Sequence, residues 1–358
     1  LLADEASRWI ENRNTEKPFF LYMPFIAPHT PLEAPEDLVK KYSDLEDLRV
    51  PTRSASADRI RSLSSTPSAR PIYAAVVDAL DQAIGQVLAT LESEGIDEET
   101  IILFSSDNGG ATYGGGGGDN FPLRGGKGET YEGGIKVIAA LRWKGKIAPQ
   151  TNFSSIMTMM DVFPTLAGAT NISMMNTKKL WGRDMWSAIN NSKNIPLTQE
   201  VFFASETPNY GQFHTTVFNE KWKLVQVISS SLMEVNVNNQ LFDIRNDPNE
   251  YKNLAAEYPK LVELMADKIR RWRALHPISG IRAQLVPPPG WRAPKDWTSY
   301  TIPLDELQDD ASLGFGAHAH QILDYLIKDH GRIIYDCKPG DWERGKCKAP
   351  EQSHKHQH

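Results

Sequence analysis

Ile101-Ile102-Leu103-Phe104-Ser105-Ser106-Asp107-Asn108-Gly109-Gly110, the opening of a stretch that runs to Gly134, decides the fold. Its first four residues are apolar without a break and rich in β-branched types. Such a run predicts a strand buried on both faces, as in a parallel sheet flanked by helices. The run stops at Asp107 and Asn108, so a carboxylate and an amide stand where strand gives way to loop. In open α/β sheets, ligands bind at the carboxyl ends of strands. Both side chains are hard oxygen donors, suited to Ca²⁺ or Mg²⁺ rather than zinc. The same four letters, Asp-Asn-Gly-Gly, also compose an ordinary turn.

Downstream the glycines continue, from Gly114 to Gly118 and through Leu123-Arg124-Gly125-Gly126-Lys127-Gly128-Glu129. Glycine lets backbone come close to a ligand, and Arg124 and Lys127 bring positive charge to the same place. Exposed backbone, cations and a metal together suit a phosphate-like or sulfate-like oxyanion. A nucleotide P-loop is excluded, because Gly126-Lys127 is followed by Gly128 rather than Ser or Thr. No register of the glycines satisfies G-x-G-x-x-G either.

Working outward, 358 residues suffice for a large core and two lobes. A net charge of −6 gives no reason to expect nucleic acid or an anionic membrane surface as partner. No unbroken apolar run approaches the ~20 residues of a membrane span. The chain starts at Leu1 without an initiating Met and enters a helix-like pattern at once, which reads as a fragment. The only cysteines, Cys337 and Cys347, are spaced for a small disulfide loop or are two free thiols. Three sequons begin at Asn152, Asn171 and Asn190 and would carry glycans in a secreted protein.

In chain order, Ala3 to Asn12 predicts a helix and Phe19 to Met23 a second buried strand. The strand's loop, Ala27-Pro28-His29-Thr30-Pro31, holds a histidine between two prolines. That histidine either packs locally or faces the crevice of Asp107. Pro35 to Tyr42 is a short helix, and Asp44 to Arg70 a polar surface excursion. Ile72 to Glu94 is a long helix ended by Gly95. Ile135 to Trp143 reads as a strand. Ser154 to Ala169 reads as a helix whose methionines belong to a core and whose Asp161 is structural. Beyond it, Val201–Ala204, His214–Phe218, Trp222–Ile228 and Gln240–Ile244 read as a small antiparallel sheet. Turns are expected at Pro208-Asn209, Asn219-Glu220 and Asn236 to Asn239. A helix from Tyr258 to Leu275 precedes a Pro- and Trp-containing tail ending in His354, His356 and His358.

Several of these segments together resemble the sulfatase family. They are Phe19–Met23 through Ala27–Pro31, Ser106–Gly110, Leu123–Lys127 and Glu132-Gly133-Gly134. Leu241-Phe242-Asp243 through Asn253-Leu254-Ala255 resembles the family's C-terminal subdomain. The flavour is that of animal arylsulfatase B-like enzymes, which remove 4-sulfates from N-acetylgalactosamine in glycosaminoglycans. The resemblance runs over roughly residues 1 to 275, and implies an α/β, alkaline-phosphatase-like sulfatase fold, partial and mostly parallel, with a small C-terminal antiparallel sheet and helix. Three parts follow: a catalytic-domain portion over 1–195, an antiparallel-sheet subdomain over 196–276, and an irregular tail over 277–358.

For the site, the resemblance implies that Asp107 and Asn108 coordinate Ca²⁺ and that Lys127 binds the sulfate. His29 would contact the ester and protonate the leaving oxygen, with Arg124 behind them. The substrate would be a sulfated carbohydrate or aryl sulfate, and the compartment lysosomal or extracellular. The departure is as informative. Sulfatases use a formylglycine made from the Cys or Ser of a C/S-x-P-x-R motif. Here Cys337 is followed by Lys338-Pro339-Gly340-Asp341, and Ser65-Thr66-Pro67-Ser68-Ala69-Arg70 has its arginine one position late. The expectation is therefore a sulfatase whose front, with the nucleophile and the upstream metal ligands, is absent from this chain. The chain alone is then inactive and, with strand edges unpaired, poorly stable. The competing readings are a metal-dependent phosphatase or phosphodiesterase on the same fold, and a non-catalytic binder of sulfated glycans.

Overall fold

The computed structural model describes residues 1–45, 70–112, 117–175, 178–207, 212–230 and 235–274. Most of the polar excursion, the turn at Pro208-Asn209 and the tail with Cys337, Cys347 and the terminal histidines lie outside the described residues. The described residues form two compact units, one within 1–200 and 244–251, the other within 201–243 and 252–274.

In the first unit, helix α1 (Leu2–Glu11) and helix α2 (Glu36–Lys41) pack against the long helix α3 (Arg70–Ser93). Small and apolar side chains meet there: Ala3, Ala6 and Ile10 of α1, and Ala75, Val76 and Leu91 of α3, are all buried. Polar pairs stitch the edges. The Thr90 hydroxyl donates to Ser7 Oγ at 2.8 Å, Arg13 pairs with Glu94 at 2.8 Å, and Lys41 with Asp78 at 2.7 Å. Helix α3 is long and apolar enough to cross a membrane by length and composition, yet Asp78 on it is bonded to both Lys41 and Tyr42.

Strand β1 (Ile102–Ser105) pairs antiparallel with β2 (Ala139–Arg142), Ile102 opposite Arg142. This corrects the reading of β1 as a strand buried on both faces with parallel neighbours. Leu103 and Phe104 are each 39% exposed, and β2 is its hydrogen-bonded partner among the described residues. Phe19–Met23 is likewise not a strand. From Phe19 to Ile26 the chain alternates half-buried and exposed residues without ladder pairing among the described residues, and Phe20 and Tyr22 face outward. The expected strand over Ile135–Trp143 is shorter, because helix α4 (Glu132–Ile135) takes up its start.

Helix α5 (Met159–Ala169) begins later than its apolar pattern suggests, and Asp161 explains where. The Asp161 carboxylate accepts the Thr158 N–H at 2.8 Å and the Arg183 N–H at 2.6 Å, and pairs with the Arg183 guanidinium at 3.3 Å. Met159 and Met160 are exposed rather than core residues, because the helix buries Pro164, Thr165 and Ala167 instead. Helix α6 (Trp186–Asn190) follows. The three sequon asparagines, Asn152, Asn171 and Asn190, are exposed.

The second unit is a four-stranded antiparallel meander in the order β3 (Val201–Thr207), β4 (Gln212–Phe218), β5 (Trp222–Ser230) and β6 (Val235–Asp243). Asn219 makes the tight β4–β5 turn, its side chain accepting the N–H groups of Lys221 and Trp222. Asn236 to Asn239 are not a turn but part of edge strand β6, where exposed asparagines meet water rather than a core. Helix α7 (Pro259–Arg273) lays Met265 and Ile269 on Val217, Leu224 and Leu241.

Burial pushes the Asp161 carboxyl up, but the Thr158 and Arg183 bonds outweigh it and hold its pKa below the usual carboxylate value. A depressed folded pKa gives stability that is present above the unfolded value of about 3.9 and is lost as pH falls through the folded one. Asp161→Asn therefore lowers stability at pH 7 by about 2–3 kcal/mol. In urea titrations its deficit against the parent narrows below about pH 4.

Candidate active site

The site is built from backbone before side chains. After β1 the chain turns through Ser106, whose hydroxyl donates to the Asn108 carbonyl at 2.8 Å. The Asn108 N–H donates to Asp107 Oδ1 at 2.9 Å, fixing that carboxylate on its own turn. Gly109 then donates its N–H to the Gly134 carbonyl at 2.9 Å. Here the close approach requires glycine: a Cβ on Gly109 would lie 1.7 Å from the Gly133 carbonyl oxygen. Across the contact, a Cβ on Gly134 would lie 2.1 Å from the Glu129 carbonyl oxygen.

A second set of bonds brings Lys127 in. Its N–H donates to the Gly110 carbonyl at 3.2 Å, so Lys127 is tied two residues beyond Asn108. Asn120 clamps the same place. Its Oδ1 accepts the Gly110 N–H at 2.8 Å, while its Nδ2 donates to the carbonyls of Gly110 at 2.9 Å and Gly125 at 3.1 Å. Glu129 closes the turn by accepting the Gly126 N–H at 3.2 Å. Asp107, Asn108 and Lys127 thus sit on one hydrogen-bonded loop cluster, with Asp107 exposed and Asn108 and Lys127 half-buried.

Arg124 is turned to other work. Its guanidinium lies over the Tyr131 ring at 4.2 Å and donates to the Glu250 carbonyl at 3.5 Å. His29 lies on its own exposed loop, with Nδ1 2.7 Å from the Thr30 carbonyl. A carbonyl only accepts, so Nδ1 carries a proton and Nε2 makes no hydrogen bond among the described residues. No hydrogen bond or ion pair joins His29 to Asp107, Asn108 or Lys127 among the described residues.

As a cation site the cluster is incomplete. The Asp107 carboxylate and the Asn108 amide oxygen are two hard donors, against the 6–8 oxygens that Ca²⁺ takes. Among the described residues no group of three or more His, Cys, Asp or Glu side chains could hold a metal. Sequence reasoning missed Asn120 and Glu250. Asn120, in Asp119-Asn120-Phe121-Pro122, reads as turn composition, and Glu250 is more than a hundred residues away from the loop it touches.

With that geometry established, comparison with known proteins is informative. The Sulfatase family model matches residues 1–172, and the N-sulphoglucosamine sulphohydrolase C-terminal model matches residues 126–274. A sulfatase of Formosa agariphila is 29% identical over 296 residues, 76% of this chain and 49% of its own. The mouse arylsulfatase J is 26% identical over 297 residues, 72% of this chain and 45% of its own. The chain thus spans about half the length of these curated relatives. Among solved structures, that of Ps i-CgsB in complex with k-i-k-neocarrahexaose matches with 26% identity and a TM-score of 0.61, over 76% of this chain and 53% of its own. That of BT4656 in complex with its substrate D-glucosamine-2-N,6-O-disulfate, 18% identical with a TM-score of 0.52 over 76% of this chain and 68% of its own, shares the fold. The fold is therefore the alkaline-phosphatase-like fold of sulfatases, as the sequence leads one to expect.

Gly109→Ala puts a methyl group into the Gly133 carbonyl and destabilises the protein by at least about 2 kcal/mol. Gly85→Ala, on helix α3 where nothing lies within 4 Å of the new Cβ, stabilises it by about 0.5–1 kcal/mol. Thermal unfolding of the two variants beside the parent checks both signs.

Proposed function

We infer that the chain is part of a sulfatase, a hydrolase of sulfuric esters, and that it contributes the Asp107–Asn108 and Lys127 side of the active site. The observation that carries this reading is the hydrogen bond from the Lys127 backbone N–H to the Gly110 carbonyl, 3.2 Å, which ties the lysine's loop to the turn that carries two hard oxygen donors. Matches to sulfatases along residues 1–274 support it.

In this reading Asp107 and Asn108 would hold Ca²⁺, which when bound polarises the sulfate oxygens. Asp107 Oδ2 and the Asn108 amide oxygen fit that donor chemistry, and the other ligands come from residues outside those described. Lys127 offsets charge on the equatorial sulfate oxygens. His29, its Nδ1 proton held by the Thr30 carbonyl, would in its doubly protonated form give the Nε2 proton to the leaving alkoxide and be left as the Nδ1–H tautomer. The formylglycine expected of sulfatases lies in a part of the protein outside this chain, since no C/S-x-P-x-R motif occurs in it. The exposed apolar side chains of Phe20, Tyr22, Ile26 and Ile138 suit a catalytic domain completed by further chain. We take the catalytic portion to span 1–195 and the antiparallel-sheet subdomain 196–276.

The substrate class is a sulfated carbohydrate, with the 4-sulfate of N-acetylgalactosamine in glycosaminoglycans as the first candidate. Exposed sequons at Asn152, Asn171 and Asn190 suit a lysosomal or secreted glycoprotein.

The full-length protein should hydrolyse an aryl sulfate far faster than the matching aryl phosphate, and this chain alone should hydrolyse neither. Chelation should abolish the activity, and added Ca²⁺ should restore it. Asp107→Ala and Lys127→Ala should each cut kcat/KM by about a hundredfold or more. Preference for the phosphate ester, or full activity of both variants, would rule the reading out.

A further inference from the structure

We propose that Glu250 is a positioning residue for Lys127, clamping the loop that carries it from both sides. The proposal rests on the function inferred above and goes beyond it, by assigning a role to a residue on a distant segment.

Glu250 is a fully buried carboxylate, 0% exposed. Its backbone is left-handed, with φ 56°, a conformation that residues with a Cβ enter only when their surroundings demand it. Those surroundings include three hydrogen bonds. Glu250 donates its N–H to the Asp247 carbonyl at 3.1 Å, closing a turn. Its carbonyl accepts from the Arg124 guanidinium at 3.5 Å. Its Oε2 accepts the N–H of Glu132, the first residue of α4, at 2.8 Å. The left-handed turn directs the carbonyl to one point of the loop and the side chain to the other.

Those two points bracket Lys127: Arg124 lies three residues before it and Glu132 five residues after. Arg124 reinforces the closure, because its carbonyl accepts the Gly133 N–H at 2.7 Å while its guanidinium covers the Tyr131 ring. The intervening residues include Gly125, Gly126 and Gly128, which hold no conformation by themselves. Glu250 therefore adds, from a distant segment, to the order that Asn120 and Glu129 give the glycines from within the loop. Misplacement of a charged group by about 1 Å is enough to cost on the order of a hundredfold in rate.

The test uses the full-length protein with an aryl sulfate. Glu250→Ala removes the acceptor and should lower kcat at least tenfold, while the folded protein keeps an unfolding midpoint above the assay temperature. Glu250→Gln keeps an oxygen acceptor and should recover most of that loss. Should Glu250→Ala fail to fold, Glu132→Pro deletes the matching donor at a position proline accepts. Tyr131 before it is already extended, with φ −69° and ψ 164°. It should reproduce the loss. The deciding readout is a double-mutant cycle. In a Lys127→Ala background, Glu250→Ala or Glu132→Pro should cost less than threefold further, because the group they align is gone. Equal losses in both backgrounds would mean that Glu250 supports stability only, and would overturn the inference. A Glu250→Ala or Glu132→Pro enzyme as active as its parent would overturn it too. A parent protein inert toward every sulfate ester would instead bring down the function on which the inference stands.

Discussion

The bond from the Gly109 N–H to the Gly134 carbonyl is the constraint on which the rest of the candidate site depends. It joins the end of β1 to the start of α4 without any side chain between them. Because the two segments touch main chain to main chain, the Asp107–Asn108 turn and the Lys127 loop share one rigid frame. A pair of side chains could bridge the same gap, but with several rotors to immobilise. Glycine concentrates its cost in the unfolded chain, and the folded loop recovers it through the bonds to Gly110, Gly125 and Gly126 that Asn120 and Glu129 close.

Elements whose stability is local were legible in the sequence. Helix α3 follows its apolar spacing and stops at Gly95, whose φ is +69°. The meander of β3 to β6 follows from alternation and from the asparagine at the β4–β5 turn. What failed was the identity of partners. An apolar run such as Ile101–Phe104 states that it wants cover, not which strand supplies it. β1 pairs antiparallel with β2 and leaves Leu103 and Phe104 partly exposed. Asn236–Asn239 failed for the converse reason. Asparagine favours turns through its own side chain, but at an outer strand that side chain can reach sideways, as Asn239 does to Gln226 at 3.0 Å.

The same division runs through the site. Asp107 and Asn108 are candidates by residue type and by their place after β1, and Lys127 by its charge among glycines. Asn120 and Glu250 are not, because their meaning lies in what they touch. Asn120 satisfies three main-chain groups from ten residues away or fewer. Glu250 reaches back 118 residues to Glu132. A glutamate in a run of Asp, Asn and Pro reads as a solvated corner until its burial is known.

Two cations stand close together in Leu123–Lys127, and their environments assign them different work. The Arg124 guanidinium is planar and multiply donating, so it can stack on Tyr131 and bond the Glu250 carbonyl at once. A lysine could not do both, because its ammonium is a single point of charge on a flexible stem. That same compactness would suit Lys127 to the tetrahedral oxyanion proposed for the site, and its ammonium makes no hydrogen bond or ion pair among the described residues. Exchanging the two residue types would preserve the charge of the loop. It would also remove the stacked clamp and put a fork where a point is wanted. The loop therefore depends on the order Arg-Gly-Gly-Lys and not merely on two positive charges.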